Sequence, residues 1–353
     1  MRHPIVLALA LALLAGCSSV EGGFRLSWQA QHAHTSASLR GVSAVDATTC
    51  WASGSGGTFL RTTDGGETWI TGSVPGAEEL DFRDVHAFDA NTALLLSAGS
   101  PGEIWRTEDG GQTWTRTHSD TTEDVFFDAL GFGDRRHGMA FSDPVDGAFL
   151  LLSTTDAGRS WNRVDPARLP PPIDGEAGFA ASGTCLAALG KRRIWVGTGG
   201  SAARVLRTTD GGASWSVAAT PLRQGEASSG VFSVAFLDAK RGIVVGGDYN
   251  RPQEREGTAA FTTDGGATWR LAVGQPGYRS CVALAPVARP RMALAIGKEG
   301  ASLSLDVGAT WEPIDLPGHY ALSFAPRARR GTAVGWAVGA DGRVTRVELR
   351  TGG

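Results

Sequence analysis

The chain has 353 residues, 42% hydrophobic and 20% charged, which admits one large or two ordinary domains and argues against disorder. Its 33 basic and 36 acidic residues leave a formal charge of -3, so there is no sequence-wide footprint for nucleic acid or anionic lipid, although this balance leaves room for a local basic patch. Forty-nine glycines are about twice the usual share; without a triplet period they exclude collagen and imply many tight turns.

At the N-terminus, Arg2 and His3 precede an apolar run from Ile5 to Ala15 that ends in Leu14-Ala15-Gly16-Cys17. A membrane-crossing helix needs about 20 apolar residues, so the run reads as the apolar region of a secretion signal. The tetrapeptide resembles the bacterial lipobox. That resemblance implies removal of residues 1–16 and acylation of Cys17; the non-acidic Ser18 after it implies sorting to an outer membrane. An ordinary signal peptide with a coincidental cysteine is the alternative. The expected location is therefore the cell envelope, on its periplasmic or surface side, with acyl chains holding the protein on the membrane and residues 17–23 acting as a tether. Export leaves Cys50, Cys185 and Cys281 in an oxidising compartment, where three cysteines allow at most one bridge. Burial of all three as small apolar residues is the plainer reading.

An octet then recurs six times. It runs Thr62 to Trp69 around Asp64, Thr107 to Trp114 around Asp109, and Thr154 to Trp161 around Asp156. It returns from Thr208 to Trp215 around Asp210, from Thr262 to Trp269 around Asp264, and from Ser304 to Trp311 around Asp306. The aspartates are 45, 47, 54, 54 and 42 residues apart, a period that marks radial or stacked units instead of independent domains. Each octet follows two or three short apolar or alternating runs separated by Gly-rich breaks, the pattern of four strands per unit. The aspartate accepts N–H groups of its own turn, Gly-Gly supplies left-handed backbone, and the tryptophan packs where the next strand begins.

The octets resemble the Asp-box (BNR) repeat, S/T-x-D-x-G-x-T/S-W, of several β-propeller families; octets three and six carry Ala157 and Val307 in place of the first glycine. The resemblance implies that the box aspartates and tryptophans are fold elements. After Trp311 three more strands follow, and near the other end Phe24 to Ala30 contains Trp28, an outer-strand tryptophan without its three partners. Pairing residues 24–32 with the last three strands closes a ring. The expected fold is all-β: a seven-bladed propeller of four-stranded antiparallel blades over residues 24–353, its last blade completed by the N-terminal strand.

In such a ring, loops before the inner strands and loops between second and third strands share one face, opposite the box hairpins. Inner-strand starts align as Leu39-Arg40, Phe82-Arg83, Phe127-Asp128, Phe232-Ser233 and Arg279-Ser280. Arg40, Arg83, Asp128, Ser233 and Ser280 are thus expected to ring the channel mouth. The second loop set adds Asp143, Asp248, Tyr249 and Arg251, with Lys298 and Glu299, and the stretch Pro166 to Ser182, containing Glu176, is expected to overhang the same mouth. These loops, on a rigid scaffold, are the candidate binding site for a peptide or glycan.

Enzyme motifs find little support. Gly197 to Ala202 fits the spacing G-x-G-x-x-A, but Arg204 to Thr208 leads into a box instead of the helix that dinucleotide binding requires. Sialidases also carry Asp boxes, yet the Arg-Ile-Pro signature of that family is missing, and Tyr249, Tyr278 and Tyr320 are the only tyrosines. A glycoside hydrolase pairing Asp128 with Asp143 or Asp248 is the alternative function. His32 and His34 lack a third ligand, so no metal or other cofactor is expected.

Phrases such as Phe82-Arg83-Asp84-Val85 and Trp105-Arg106-Thr107-Glu108-Asp109-Gly110-Gly111 resemble the photosystem II stability/assembly factor group of Asp-box propellers. That resemblance implies a non-enzymatic, membrane-associated scaffold for a protein partner. No nucleic-acid partner is expected, and the protein is expected to be a monomer.

Overall fold

The computed structural model describes residues 15–20, 24–287 and 291–351, the first of these stretches by backbone alone. Residues 1–14 of the expected leader lie outside the described residues, as do residues 21–23 of the expected tether.

The described strands form seven antiparallel sheets. Blade one takes Leu39–Ala44, Cys50–Gly54, Thr58–Thr62 and Ile70–Ser73 from the inside outward. The inner strands of blades two to seven are Asp81–Ala87, Phe127–Phe132, Leu186–Leu189, Glu226–Phe236, Cys281–Leu284 and Ala321–Phe324. Each inner strand touches the next around the ring, and the seventh touches the first. Neighbouring blades pack face to face, so the second and third strands are buried on both sides and read as continuous apolar runs. Trp51, Phe59, Val85 and Leu95 form one such inter-blade cluster, and Leu294, Leu303, Leu322 and Leu349 belong to another.

Closure follows the expected route. Phe24–Gln31 pairs along Val344–Thr351, which pairs with Thr332–Val338. Arg346 faces both Trp336 and Gln29, as Arg61 faces both Trp51 and Ile70. Trp28 therefore stands in the register of Trp69, where the sequence had placed it. Ala15–Val20 adds a fifth, outermost strand with Cys17 opposite Ser27, so residues 17–20 of the expected tether are sheet. Blade five is extended in a way the sequence did not show: Glu176–Ala177 and Gly199–Gly200 join its inner edge. A side chain at Gly199 would strike the backbone of Ser229 and Gly230, so the glycines of the G-x-G-x-x-A stretch let strands approach closely.

The boxes link third to fourth strands as one repeated clasp. In the first, the Thr68 N–H donates to Asp64 Oδ1 at 3.0 Å, the Thr62 hydroxyl donates to the same oxygen at 2.8 Å, and the Gly66 N–H reaches Thr62 Oγ1 at 2.9 Å. The next N–H ties the box to the other hairpin of its blade, from Gly65 to Thr48 O at 2.8 Å; the same bond recurs from Gly110, Ala157, Gly211, Gly265 and Val307. Hydrogen bonds from Thr68 hold the Asp64 carboxyl down at about 2. Each box aspartate is thus spent on its own turn. Gly65 and Gly66 have φ of 82° and 85°; Ala157 and Val307 adopt the same left-handed conformation at 65° and 61°. Cys50, Cys185 and Cys281 are all buried and unbridged.

Candidate functional site

The mouth is built by a displacement repeated at the start of the inner strands. Ladder pairing slips between Leu39 and Gly41, Phe82 and Asp84, Phe127 and Ala129, and Val231 and Ser233. The residue left between each pair, Arg40, Arg83, Asp128 or Phe232, is a β-bulge, which re-aims its side chain toward the channel. Counting register from the boxes places Thr184, Ser280 and Tyr320 at the same level in blades four, six and seven. The expected column is therefore right for Arg40, Arg83, Asp128 and Ser280, but in blade five it is occupied by Phe232, one residue before Ser233. Val231 and Phe232 are both apolar, so in this blade the apolar residue that precedes the mouth position is not singled out by its chemistry.

Above this level lies a cavity of about 430 Å³ whose lining includes Arg40, Arg83, Phe126, Phe232, Tyr249, Tyr278 and Tyr320. The Arg40 guanidinium lies over the Tyr320 ring, 4.5 Å from its centroid. Burial first, and then the neighbouring Arg83, lower the pKa of Arg40. Arg83 pairs with Asp81 at 2.7 Å and lies over Phe126. Tyr278 and Tyr249 stand edge-on to Phe232, and Lys298 crosses to the Tyr249 carbonyl at 3.3 Å. The wall thus joins cations to aromatic rings, a surface suited to a carboxylate flanked by apolar groups.

The floor is the chain's own. The expected overhang Pro166 to Ser182 turns inward at its end, and residues 178–184 cross the channel. The Gly178 N–H donates to Asp143 Oδ1 of blade three at 2.6 Å, and Phe179 stacks on Phe232 of blade five at 3.7 Å. The Ser182 hydroxyl donates to the Ser280 carbonyl of blade six at 2.7 Å, while Gly183 sits against Asp84 of blade two. This segment turns a through-channel into a blind cavity. Nothing local in its sequence announces those contacts.

Three acids lie beneath the floor. Asp128 is 1% exposed, beside the Asp143 carboxyl and the Ala180 backbone. Burial first, and then the nearby Asp143 charge, push its pKa well above the usual range, and burial raises Asp143 to about 6. Asp84 accepts N–H bonds from Val85 and Leu130, both at 2.7 Å, yet burial still pushes it up to about 8.

Of the residues read as candidates, Arg40, Arg83 and Tyr249 meet in the cavity wall, and Asp128 and Asp143 lie below it. Glu176 is buried in the blade-four insertion, where Arg204 Nε donates to it at 2.8 Å and the Ile173 N–H at 2.9 Å. Asp248 accepts from the Asn250 N–H and from Arg251 Nε, both at 2.9 Å. Glu176, Asp248 and Arg251 are thus occupied in local pairs outside the cavity lining. Phe126, Phe179 and Tyr320 were missed as lining residues, and the period itself held the signal for Tyr320.

Residues 23–124 match the family described as photosynthesis system II assembly factor YCF48. No curated protein matches the chain. Among solved structures, YCF48 bound to a D1 peptide is 19% identical, with a TM-score of 0.59 over 90% of this chain and 96% of that one. YCF48 from Cyanidioschyzon merolae is 17% identical, with a TM-score of 0.55 over 90% of this chain and 98% of its own. U3-55K is 13% identical, with a TM-score of 0.61 over 91% and 98%. At such identities the superpositions establish the propeller fold. Together with the match over the closing strand and the first two blades, they bear out the resemblance to photosystem II assembly factor propellers.

Proposed function

We propose that this chain is an exported, lipid-anchored, non-enzymatic propeller that holds an extended segment of a protein partner at its channel mouth. The observation that carries this reading is the blind cavity walled by Arg40, Arg83 and a cluster of aromatic rings. Such a wall recognises an acidic group and stacks on the apolar side chains beside it. The D1 peptide held by YCF48 in a solved propeller of like fold supports a peptide as the ligand class.

Aromatic walls also stack on sugars, so a glycan is the competing ligand. Hydrolysis of that glycan is less favoured: Asp128 and Asp143 lie under Gly178, whereas a glycosidase places its carboxyls on either side of an accessible bond. Peptide and glycan arrays probed with the wild type and with Arg40→Ala/Arg83→Ala test the proposal. Capture of acidic peptides that is lost in the double variant supports it. Capture unchanged by both substitutions, or sugar released from a broad glycoside panel, counts against it.

A further inference from the structure

Two bulges in blade three bring a pair of acids under the cavity. The ladder slips between Phe127 and Ala129 on the inner strand and between Ser142 and Pro144 on the second, so Asp128 and Asp143 are each left between paired residues. The floor above them is one backbone thick. Gly178 lines the cavity, its N–H donates to Asp143 Oδ1 at 2.6 Å, and a Cβ added to it would lie 2.2 Å from Asp128 Oδ2. Phe179, Ala180 and Ala181 line the same cavity, and the Ala180 backbone also reaches Asp128. An acid pair therefore lies beneath a site whose wall holds Arg40 and Arg83 for an acidic group.

Few other ionisable groups face the pair among the described residues. From blade two, Arg83 draws the Asp128 pKa down, less than burial raises it, and Arg83 is itself paired with Asp81. Asp84 lies on the same strand as Arg83. From blade four comes Cys185, whose thiol is pushed up by burial first and then by the charges of Asp128, Asp84 and Asp143, so it stays neutral. Phe141 adds an apolar wall against Gly178. Burial, and then the Asp143 charge, keep Asp128 protonated. Asp143 is accordingly the member that ionises first, at about 6, where burial has raised it.

We propose that the Asp128 and Asp143 pair is a proton-linked control of the mouth: a proton taken up beneath the floor strengthens the hold on an acidic segment above it, and loss of that proton releases the segment. This rests on the reading of the mouth as a site for an acidic segment. An anion held at Arg40 and Arg83 repels a charged Asp143 and offsets the pull of Arg83 on Asp128, so binding favours the protonated pair. By reciprocity, protonation favours binding. Affinity is therefore greatest below the free Asp143 value of about 6 and declines as pH rises from there toward the higher value of the occupied site. A unit charge one backbone away from the bound anion is worth about tenfold or more in affinity at the effective dielectric of a protein site.

The probe is the acidic peptide captured most strongly on the array, labelled for fluorescence polarisation and titrated into the full chain and into Asp143→Asn at about pH 5.5 and about pH 8. The wild type should bind it about tenfold more weakly at the higher pH. Asp143→Asn keeps an acceptor for the Gly178 N–H and should hold its affinity across the range. Calorimetry of the wild type at about pH 6.5, in two buffers of different ionisation enthalpy, should register net proton uptake on binding. That measurement needs no variant and decides the matter if Asp143→Asn does not fold. An equal decline in Asp143→Asn, or binding without proton uptake, would overturn the proposal. Acidic-peptide binding independent of pH in the wild type overturns it and leaves the reading of the mouth intact, whereas no capture of an acidic peptide at any pH overturns both.

Discussion

The Arg40 guanidinium rests 4.5 Å from the centroid of the Tyr320 ring, so the first and seventh blades meet at the mouth through one cation and one aromatic face. Both residues occupy the same register level of their blades, and ring closure is what makes them neighbours. Arg40 has no carboxylate partner among the described residues, and Arg83 beside it lowers its pKa after burial does. An incoming carboxylate relieves that repulsion. Arg40→Ala should therefore weaken binding of an acidic peptide by about tenfold or more, as expected for a lost charged hydrogen bond. Tyr320→Leu should cost less, about threefold, since it removes only the cation–π contact. Fluorescence polarisation with a labelled peptide measures both; a larger loss for Tyr320→Leu would mean that the ring itself grips the ligand.

The closing strand makes a second prediction. Phe24 and Leu26 are buried with Val347 and Leu349 in the cluster joining blades six and seven. Deleting residues 18–34 removes this packing and leaves Val344–Thr351 with an unpaired edge. The ring should then lose its single cooperative transition in urea and form oligomers through the open edge. A melting curve that matches the full chain would mean that blade seven closes without its N-terminal strand.

These two cases mark what the residues disclosed in advance and what they did not. Asp64 to Asp306 and their tryptophans are local features: each aspartate bonds within its own turn, so spacing alone gave the blades, and Trp28 gave the closure. Arg40 and Arg83 were legible because a regular period carries register around the ring. Ser233 was displaced by Phe232 because Val231 and Phe232 are both apolar, and composition does not say which of them precedes the mouth position. Glu176 and Asp248 look like mouth acids in sequence, but their partners Arg204 and Arg251 neutralise them in place. The floor at residues 178–184 depends on contacts with blades two, three, five and six, and no local pattern encodes those.

The two irregular boxes yield a prediction of opposite signs. Ala157 and Val307 sit at φ of 65° and 61°, where an L side chain costs roughly 1–2 kcal/mol. Glycine removes that cost but adds about 0.5–1 kcal/mol of unfolded-state entropy. Ala157→Gly should accordingly be neutral to slightly stabilising. Val307 is packed with Ile243 and Trp311 in the cluster between blades five and six, and burying a valine side chain is worth about 1.5 kcal/mol or more. Val307→Gly should therefore destabilise despite the relief of its backbone. Urea midpoints for both variants decide the matter; destabilisation of similar size in the two would show that the backbone cost at Ala157 is small.

The buried acids predict how stability follows pH. Folding raises Asp143 to about 6 and Asp128 well above its usual value, through burial in both cases. An acid whose pKa is raised on folding gives its full contribution below the unfolded value of about 4, and loses it as pH rises through the folded value. Stability should fall from mildly acidic to alkaline pH as these groups are forced to ionise under the floor. His319 acts in the opposite sense: burial lowers it to about 4, so its contribution is present above about 6.5 and lost as pH falls through about 4. Asp143→Asn keeps an acceptor for the Gly178 N–H, so Asp128→Asn/Asp143→Asn should flatten the alkaline decline without unseating the floor. A remaining decline that levels off at about pH 8 belongs to Asp84, which burial pushes up to about 8. Urea midpoints from pH 5 to 9 test this; parallel curves for wild type and double variant would place the titrating groups elsewhere.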